Sequence, residues 1–247
     1  MGTSGLAAQA HGAGDAPETA ATLARALMIG AAAGMAIILL QAPLFWAALR
    51  IAPASDEVEV LVRQYLGIRV WGAPATIALY AVTGWLIALE RTRGVFVIQV
   101  VMNGLNIGLD LWFVLGLGWG VPGVAVATLV AEWTGLALGL WLCRDVLGAH
   151  WSAARARIWD AVALRRMAGV NGAIMLRSVL LQGAFATFVF MGAGQGDVTL
   201  AANQILMQFL EIAAYALDGF AFAAEALVGQ AVGGRSVTVV RRAAFLT

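Results

Sequence analysis

Residues 26–49 read ALMIGAAAGMAIILLQAPLFWAAL, 24 positions without a charge. A helix that crosses the hydrocarbon core of a bilayer needs roughly 20 mostly apolar residues, so this stretch predicts a membrane-spanning helix. Five more stretches follow. Residues 70–89 carry no charge, 94–117 contain only Asp110, and 121–143 contain only Glu132. Residues 167–194 contain only Arg177, and 199–234 contain Glu211, Asp218 and Glu225. The fold class expected is therefore an all-α polytopic membrane protein with six full spans, and residues 1–10 read as the tail of another. The last stretch has 36 residues, about 54 Å as helix. It is expected either to project beyond the bilayer or to break near Gly219.

Composition agrees. Hydrophobic residues make up 62% of the chain and charged residues 12%, against roughly 45–50% and about 25% in soluble domains. Such a chain can bury its surface, which excludes disorder. Fifteen arginines, no lysine and 14 acids leave a net charge of +1, so no basic excess exists for a nucleic-acid backbone. The single Cys143 excludes a disulfide framework and a cysteine metal site. No phosphate-binding loop, GxSxG or HExxH pattern is present. ATP-driven transport and familiar hydrolytic chemistry therefore have no support in the sequence, and neither a cofactor nor an enzyme is expected.

Six alternating crossings sort the arginines. Arg25, Arg91, Arg93, Arg144, Arg155, Arg157, Arg165, Arg166, Arg235, Arg241 and Arg242 fall on the side of the N-terminus. Only Arg50 and Arg63 fall on the other, diluted by Asp56, Glu57 and Glu59. The positive-inside rule then puts both ends in the cytoplasm of a plasma (inner) membrane protein. The stretch 144–166, with five arginines, Trp151 and Trp159, reads as a cytoplasmic linker whose amphipathic helix rests on the membrane surface.

An internal repeat is visible. Gln9-Ala10-His11-Gly12 superposes on Gln230-Ala231-Val232-Gly233 at an offset of 221 residues, and Leu6 on Leu227. Both copies end an apolar helix on the same side, which predicts a parallel repeat with its axis along the membrane normal. A six-span unit of that length implies a twelve-span protein, of which this chain is an incomplete piece running from the end of span two through span eight.

Ionisable groups inside a bilayer cost about 2.5–3.5 kcal/mol at a helix centre and are functional candidates; the competing reading is a polar contact that only joins helices. Asn103, Asn106 and Asp110 are spaced i, i+3, i+7 and share one helical face. Two amides and a carboxylate there suit a proton or a hard cation such as Na+. Thr128 offers another oxygen, or a bond back to its own helix. Glu132 lies one turn further on and is expected to pair with Arg177. Gln204, Gln208, Glu211, Tyr215, Asp218 and Glu225 form a stripe along one helix. That stripe is expected to face a cavity or an internal ion-pair network with Arg177, not lipid.

Several of these stretches resemble the MATE (multidrug and toxic compound extrusion) transporters, the DinF-like branch in particular. They are TSGLAAQAHGAGD at 3–15, YLGIRVWGAPATIALYAVTGWLIALERTR at 65–93 and QVVMNGLNIGLDLWFVLGLGWGVPGVAVAT at 99–128. MLRSVLLQGAFATF at 175–188 and AANQILMQFLEIAAYALDGFAFAAEALVGQAVG at 201–233 complete the set. The resemblance implies two six-helix lobes around a central cavity, and export of cationic or amphipathic compounds in exchange for H+ or Na+ by a protein that is monomeric when full length. It implies a cation site on Asn106, Asp110 and Thr128, the only metal role expected being Na+ there. It divides the chain into a partial N-lobe at 1–143, the cytoplasmic linker at 144–166 and the start of a C-lobe at 167–247. The family's first helix, which adds an acid to the cation site, is not matched, nor are most of the second and the last four. The chain alone is therefore expected not to transport. The alternatives are a lipid-linked oligosaccharide flippase of the same superfamily, or a non-transporting membrane remnant.

Overall fold

The structure, a computed structural model, describes residues 2–51, 55–193 and 197–246. Among these residues ten α-helices follow in order: α1 Gly2–Gly12, α2 Ala16–Leu39, α3 Gln41–Ile51, α4 Asp56–Arg69, α5 Ala73–Ala88, α6 Thr92–Asp110, α7 Val121–Ile158, α8 Ala161–Ala193, α9 Asp197–Gly233 and α10 Val237–Leu246. There is no strand among the described residues. Six helical runs are long and apolar enough to cross a membrane: Ala16–Leu39, Asp56–Ala88, Thr92–Gly116, Val121–Ile158, Ala161–Val189 and Ala202–Gly233. The expected six-span, all-helical class is the one found.

The ends of the spans differ from the expectation. The first crossing begins ten residues earlier than read and stops at Leu39, where Pro43 cannot supply an amide to the preceding turn. Its early start brings Glu18 and Arg25 into the helix. Arg25 is only 2% exposed, because Glu18 Oε1 at 2.6 Å and the carbonyls of Arg157 and Ile158 take its donors. The last long helix does not break at Gly219; α9 runs unbroken to Gly233. The span read as ending at Gly194 reaches past Ala193, outside the described residues.

α7 is also longer than its apolar stretch. It continues through Arg144 to Ile158, turns at Trp159–Asp160, and α8 begins at Ala161. Its last turns cross the flank of α2, where Ala154 is buried against Ala20 and Ala21.

The core lies among α2, α5, α6 and α7. Leu23, Val82, Trp85, Leu86, Ile98, Leu136 and Cys143 are buried in one cluster. Trp85 is fully enclosed, and its indole N–H donates to the Thr19 carbonyl at 2.9 Å, which satisfies the one polar atom it carries inward.

The repeat is visible bond by bond. After α1, the amides of Ala13, Gly14 and Asp15 donate to the carbonyls of Gln9, His11 and Ala10 at 3.0, 2.9 and 3.0 Å. After α9, the amides of Gly234, Arg235 and Ser236 donate to those of Gln230, Val232 and Ala231 at 2.9, 3.0 and 3.2 Å. Gly14 and Arg235 both take positive φ, 71° and 52°, as helix ends of this kind require. Asp15 then caps α2 through the Glu18 amide, and Ser236 caps α10 through the Val239 amide.

The two copies touch. α1 and α9 run side by side in the same direction. A methyl carbon placed on Gly12 would fall on the Gln230 carbonyl, and one placed on Gly233 would fall on the Gln9 carbonyl. Such reciprocity is what a two-fold axis between the helices produces.

Candidate functional site

Asp110 closes α6. The chain then passes into one π-helical stretch, Leu111–Gly116, a wide turn that often accompanies functional positions. Phe113 stacks between Trp112 and Trp119, with ring centroids 5.4 and 5.0 Å away. Gly118 and Gly120, both at positive φ, complete the reversal into α7. This turn aims the end of α6 at the start of α7. Asn106 Nδ2 donates to Thr128 Oγ1 at 3.3 Å, and Thr128 Oγ1 donates to the Val124 carbonyl at 2.9 Å. Thr128 is thus bonded back to its own helix while its oxygen also accepts from Asn106. Asp110 Oδ1 is sealed from solvent and has no hydrogen-bond partner among the described residues. A buried oxygen of this kind calls for an explanation.

Asn103 sits apart from this group. It is exposed, and its amide donates to Gln99 Oε1 at 3.4 Å, one turn back along α6. Of the expected four, only Asn106 and Thr128 are in contact, and Asp110 lies one turn along α6 from Asn106.

Glu132 does not pair with Arg177. It pairs with Arg69, whose Nη1 and Nη2 donate to Oε2 and Oε1 at 2.7 and 2.8 Å, a two-pronged bridge joining α4 to α7. The side chains are 21% and 12% exposed. Gly72 makes room for it, since a Cβ there would lie 2.5 Å from Glu132 Oε2. Sequence spacing gave no means of choosing between the two arginines.

Glu132 also lines a cavity of about 390 Å³ with Tyr80, Gln99, Met102 and Phe222. A second cavity, of about 500 Å³, is lined by Arg177, Asp218, Glu225 and again Phe222. No carboxylate lies within 4.0 Å of Arg177 among the described residues. The sequence reading missed Phe222. Its signal was its position, four residues after Asp218 and three before Glu225, which keeps the spacing of the stripe.

The stripe on α9 divides. Gln204, Gln208, Glu211, Tyr215 and Asp218 are exposed, and Glu225 is half-buried. Glu225 Oε1 accepts from Ser4 Oγ on α1 at 2.8 Å, so the stripe ends on a contact between the two repeats. Among the described residues the internal ion-pair network with Arg177 is not formed.

Set beside known proteins, the MatE family profile matches residues 1–112 and 173–247. The chain belongs to the MatE family. It is 41% identical over 237 residues to the DNA damage-inducible protein F of Escherichia coli K12, covering 95% of this chain and 51% of that one. It is 27% identical over 249 residues to a probable multidrug resistance protein NorM of Rhizobium meliloti, covering 97% and 52%. Among solved structures, a mutant of the Vibrio cholerae MATE transporter VcmN superposes with a TM-score of 0.79 at 21% identity, covering 99% of this chain and 56% of that one. A MOP superfamily transporter from Pyrococcus furiosus superposes with a TM-score of 0.78 at 22% identity, over 99% and 54%. The MatE chain described here thus spans about half the length of the relatives it matches. It is a multi-pass membrane protein of a transporter family.

Proposed function

We propose that the full-length protein is a secondary antiporter. It exports cationic or amphipathic organic compounds, with H+ or Na+ entering in exchange at Asp110, Asn106 and Thr128. One observation carries the reading: Asp110 Oδ1 is enclosed and unpartnered inside a membrane-spanning run, one turn from an amide already fixed by the Thr128 hydroxyl. A proton or a bare cation is what such an oxygen lacks. Binding there stabilises one arrangement of helices over another, and cargo that favours the other arrangement competes without touching the ion.

The balance of charge along the membrane-spanning segments favours cationic cargo over the anionic head of a lipid-linked sugar. With Glu132 neutralised by Arg69, Asp110, Glu211, Asp218 and Glu225 remain against Arg177. Residues 1–143 are taken as part of an N-lobe, 144–166 as a cytoplasmic linker and 167–247 as the start of a C-lobe, with both ends of the chain cytoplasmic and the protein a monomer. The test is transport by the full-length protein in vesicles under imposed H+ or Na+ gradients. Asp110→Asn is expected to abolish gradient-driven export while insertion stays normal; export at the unsubstituted rate overturns the assignment.

A further inference from the structure

Arg177 and Asp218 carry opposite charges, and neither has found a partner among the described residues. Arg177 lies in the span Ala161–Val189 and Asp218 in the span Ala202–Gly233. Neither side chain makes a hydrogen bond or an ion pair there. Both line the same cavity of about 500 Å³, yet they stand further apart than the 4.0 Å of an ion pair. A charge within a span is costly unless it meets water, a partner or a ligand. Two opposite charges that share a cavity and stay apart leave room for a molecule between them.

The rest of the lining suits an organic molecule. Phe222 follows Asp218 by one turn of α9 and precedes Glu225 by another, so the three share a face. Phe222 also lines the neighbouring cavity of about 390 Å³, with Tyr80 and Met102. An aromatic side chain thus stands where the two cavities adjoin. Glu225 is committed in part, since its Oε1 accepts from Ser4 Oγ. Asp218 is therefore the carboxylate free to take an organic cation. Arg177 offers a planar fork, which matches a carboxylate with two parallel hydrogen bonds. The volume of this cavity falls within the range of small-molecule sites, roughly 300–1,000 Å³.

We infer that this cavity is a site for dipolar aromatic cargo, with a carboxylate on Arg177, a cationic group on Asp218 and a ring against Phe222. The inference rests on the reading of the full-length protein as an exporter. It narrows the cargo from organic cations in general to those that also carry an acid. Asp218 alone would accept any organic cation; the guanidinium across the cavity repels a second positive charge and favours a negative one, which is how charge placement sorts ligands.

The experiment compares a rhodamine dye that has a free carboxyl group with the methyl ester of the same dye, which is a plain cation. Fluorescence anisotropy reads the binding of each to the full-length protein in detergent, and vesicles under an imposed H+ or Na+ gradient read export. The unsubstituted protein is expected to bind the free acid about tenfold more tightly than the ester, as the loss of a hydrogen bond to a charged group implies. R177Q is expected to erase that preference by weakening the free acid alone, R177K to keep part of it, and D218N to weaken both dyes alike. Equal binding of the two dyes by the unsubstituted protein overturns the inference. So does an R177Q variant that keeps the preference or weakens both dyes equally. The first comparison needs no variant, so a misfolded substitution leaves the test intact. Binding needs no gradient: a preference for the free acid without gradient-driven export of either dye supports the site and overturns the antiporter reading alone.

Discussion

Ser4 Oγ donates to Glu225 Oε1 at 2.8 Å, and the two residues stand 221 positions apart, the offset that relates the two repeats. Each is the other's counterpart. The same offset relates Ala8 to Gly229, where a Cβ on the glycine would lie 2.7 Å from the Ala8 Cβ. The seam between α1 and α9 is therefore built from residues at the repeat offset meeting across an axis.

Bulk at this seam should be costly. Gly12→Val must push α1 off the backbone of Gln230, and overpacking of this kind costs typically 1–3 kcal/mol. Thermal unfolding of the full-length protein in detergent is expected to show a clearly lower midpoint for Gly12→Val and for Gly233→Val. Ser4→Ala, which removes the hydroxyl from Glu225, should cost about 1.5–3 kcal/mol, as for a hydrogen bond to a charged group. Midpoints for the two valine variants equal to that of the unsubstituted protein would contradict the packing described.

The Arg69–Glu132 bridge predicts an asymmetric double-mutant cycle. Glu132→Gln leaves the guanidinium enclosed without its counter-charge, a change that costs on the order of 3–5 kcal/mol for a buried pair. Replacing both, as Arg69→Met with Glu132→Leu, should recover most of that loss. Denaturant or thermal titration of the four proteins measures the coupling. Additive losses would mean that the two side chains do not interact.

Asp15 predicts an acid-side dependence. Burial acts to raise its carboxyl, but the Arg157 guanidinium and the Glu18 amide outweigh burial and hold it below its ordinary value of 3.8. A carboxyl depressed in the folded state stabilises that state above the unfolded value and loses its contribution as pH falls through the folded one. Stability should thus decline below about pH 4, and the decline should be shallower in Asp15→Asn. Unfolding midpoints measured from pH 6 down to pH 3 provide the check; parallel curves for the two proteins would refute the coupling.

Thr128→Val keeps the shape of the side chain and removes the oxygen that Asn106 binds. Expected is a weaker apparent affinity for the coupling ion, about tenfold, with a smaller loss of maximal rate than Asp110→Asn produces. Ion titration of transport in vesicles reads both quantities. An unchanged ion affinity would remove Thr128 from the site.

The sequence made part of this legible and concealed the rest for identifiable reasons. Runs such as 26–49 disclose spans because hydrocarbon tolerates little else, but they locate span ends poorly. Arg25 marked the boundary of the first span by composition and yet lies within α2, since Glu18 cancels its charge and α7 lends its carbonyls. Asn106 and Asp110 could be singled out together because amide and carboxylate spacing on one helix survives folding. Asn103 shares that spacing, but its amide finds Gln99 on its own helix instead. Spacing along a chain says nothing about which distant arginine reaches Glu132; that depends on where α4 meets α7. The offset of 221 residues was visible in four matched letters, whereas the contact between the copies required coordinates.

In a dimer of identical subunits, a residue on the symmetry axis meets its own duplicate, so serine would face serine and glutamate would face glutamate. Fusing the two units into one polypeptide lifts that restriction. The hydroxyl of Ser4 and the carboxylate of Glu225 form a donor–acceptor match that two identical chains meeting on an axis could not make.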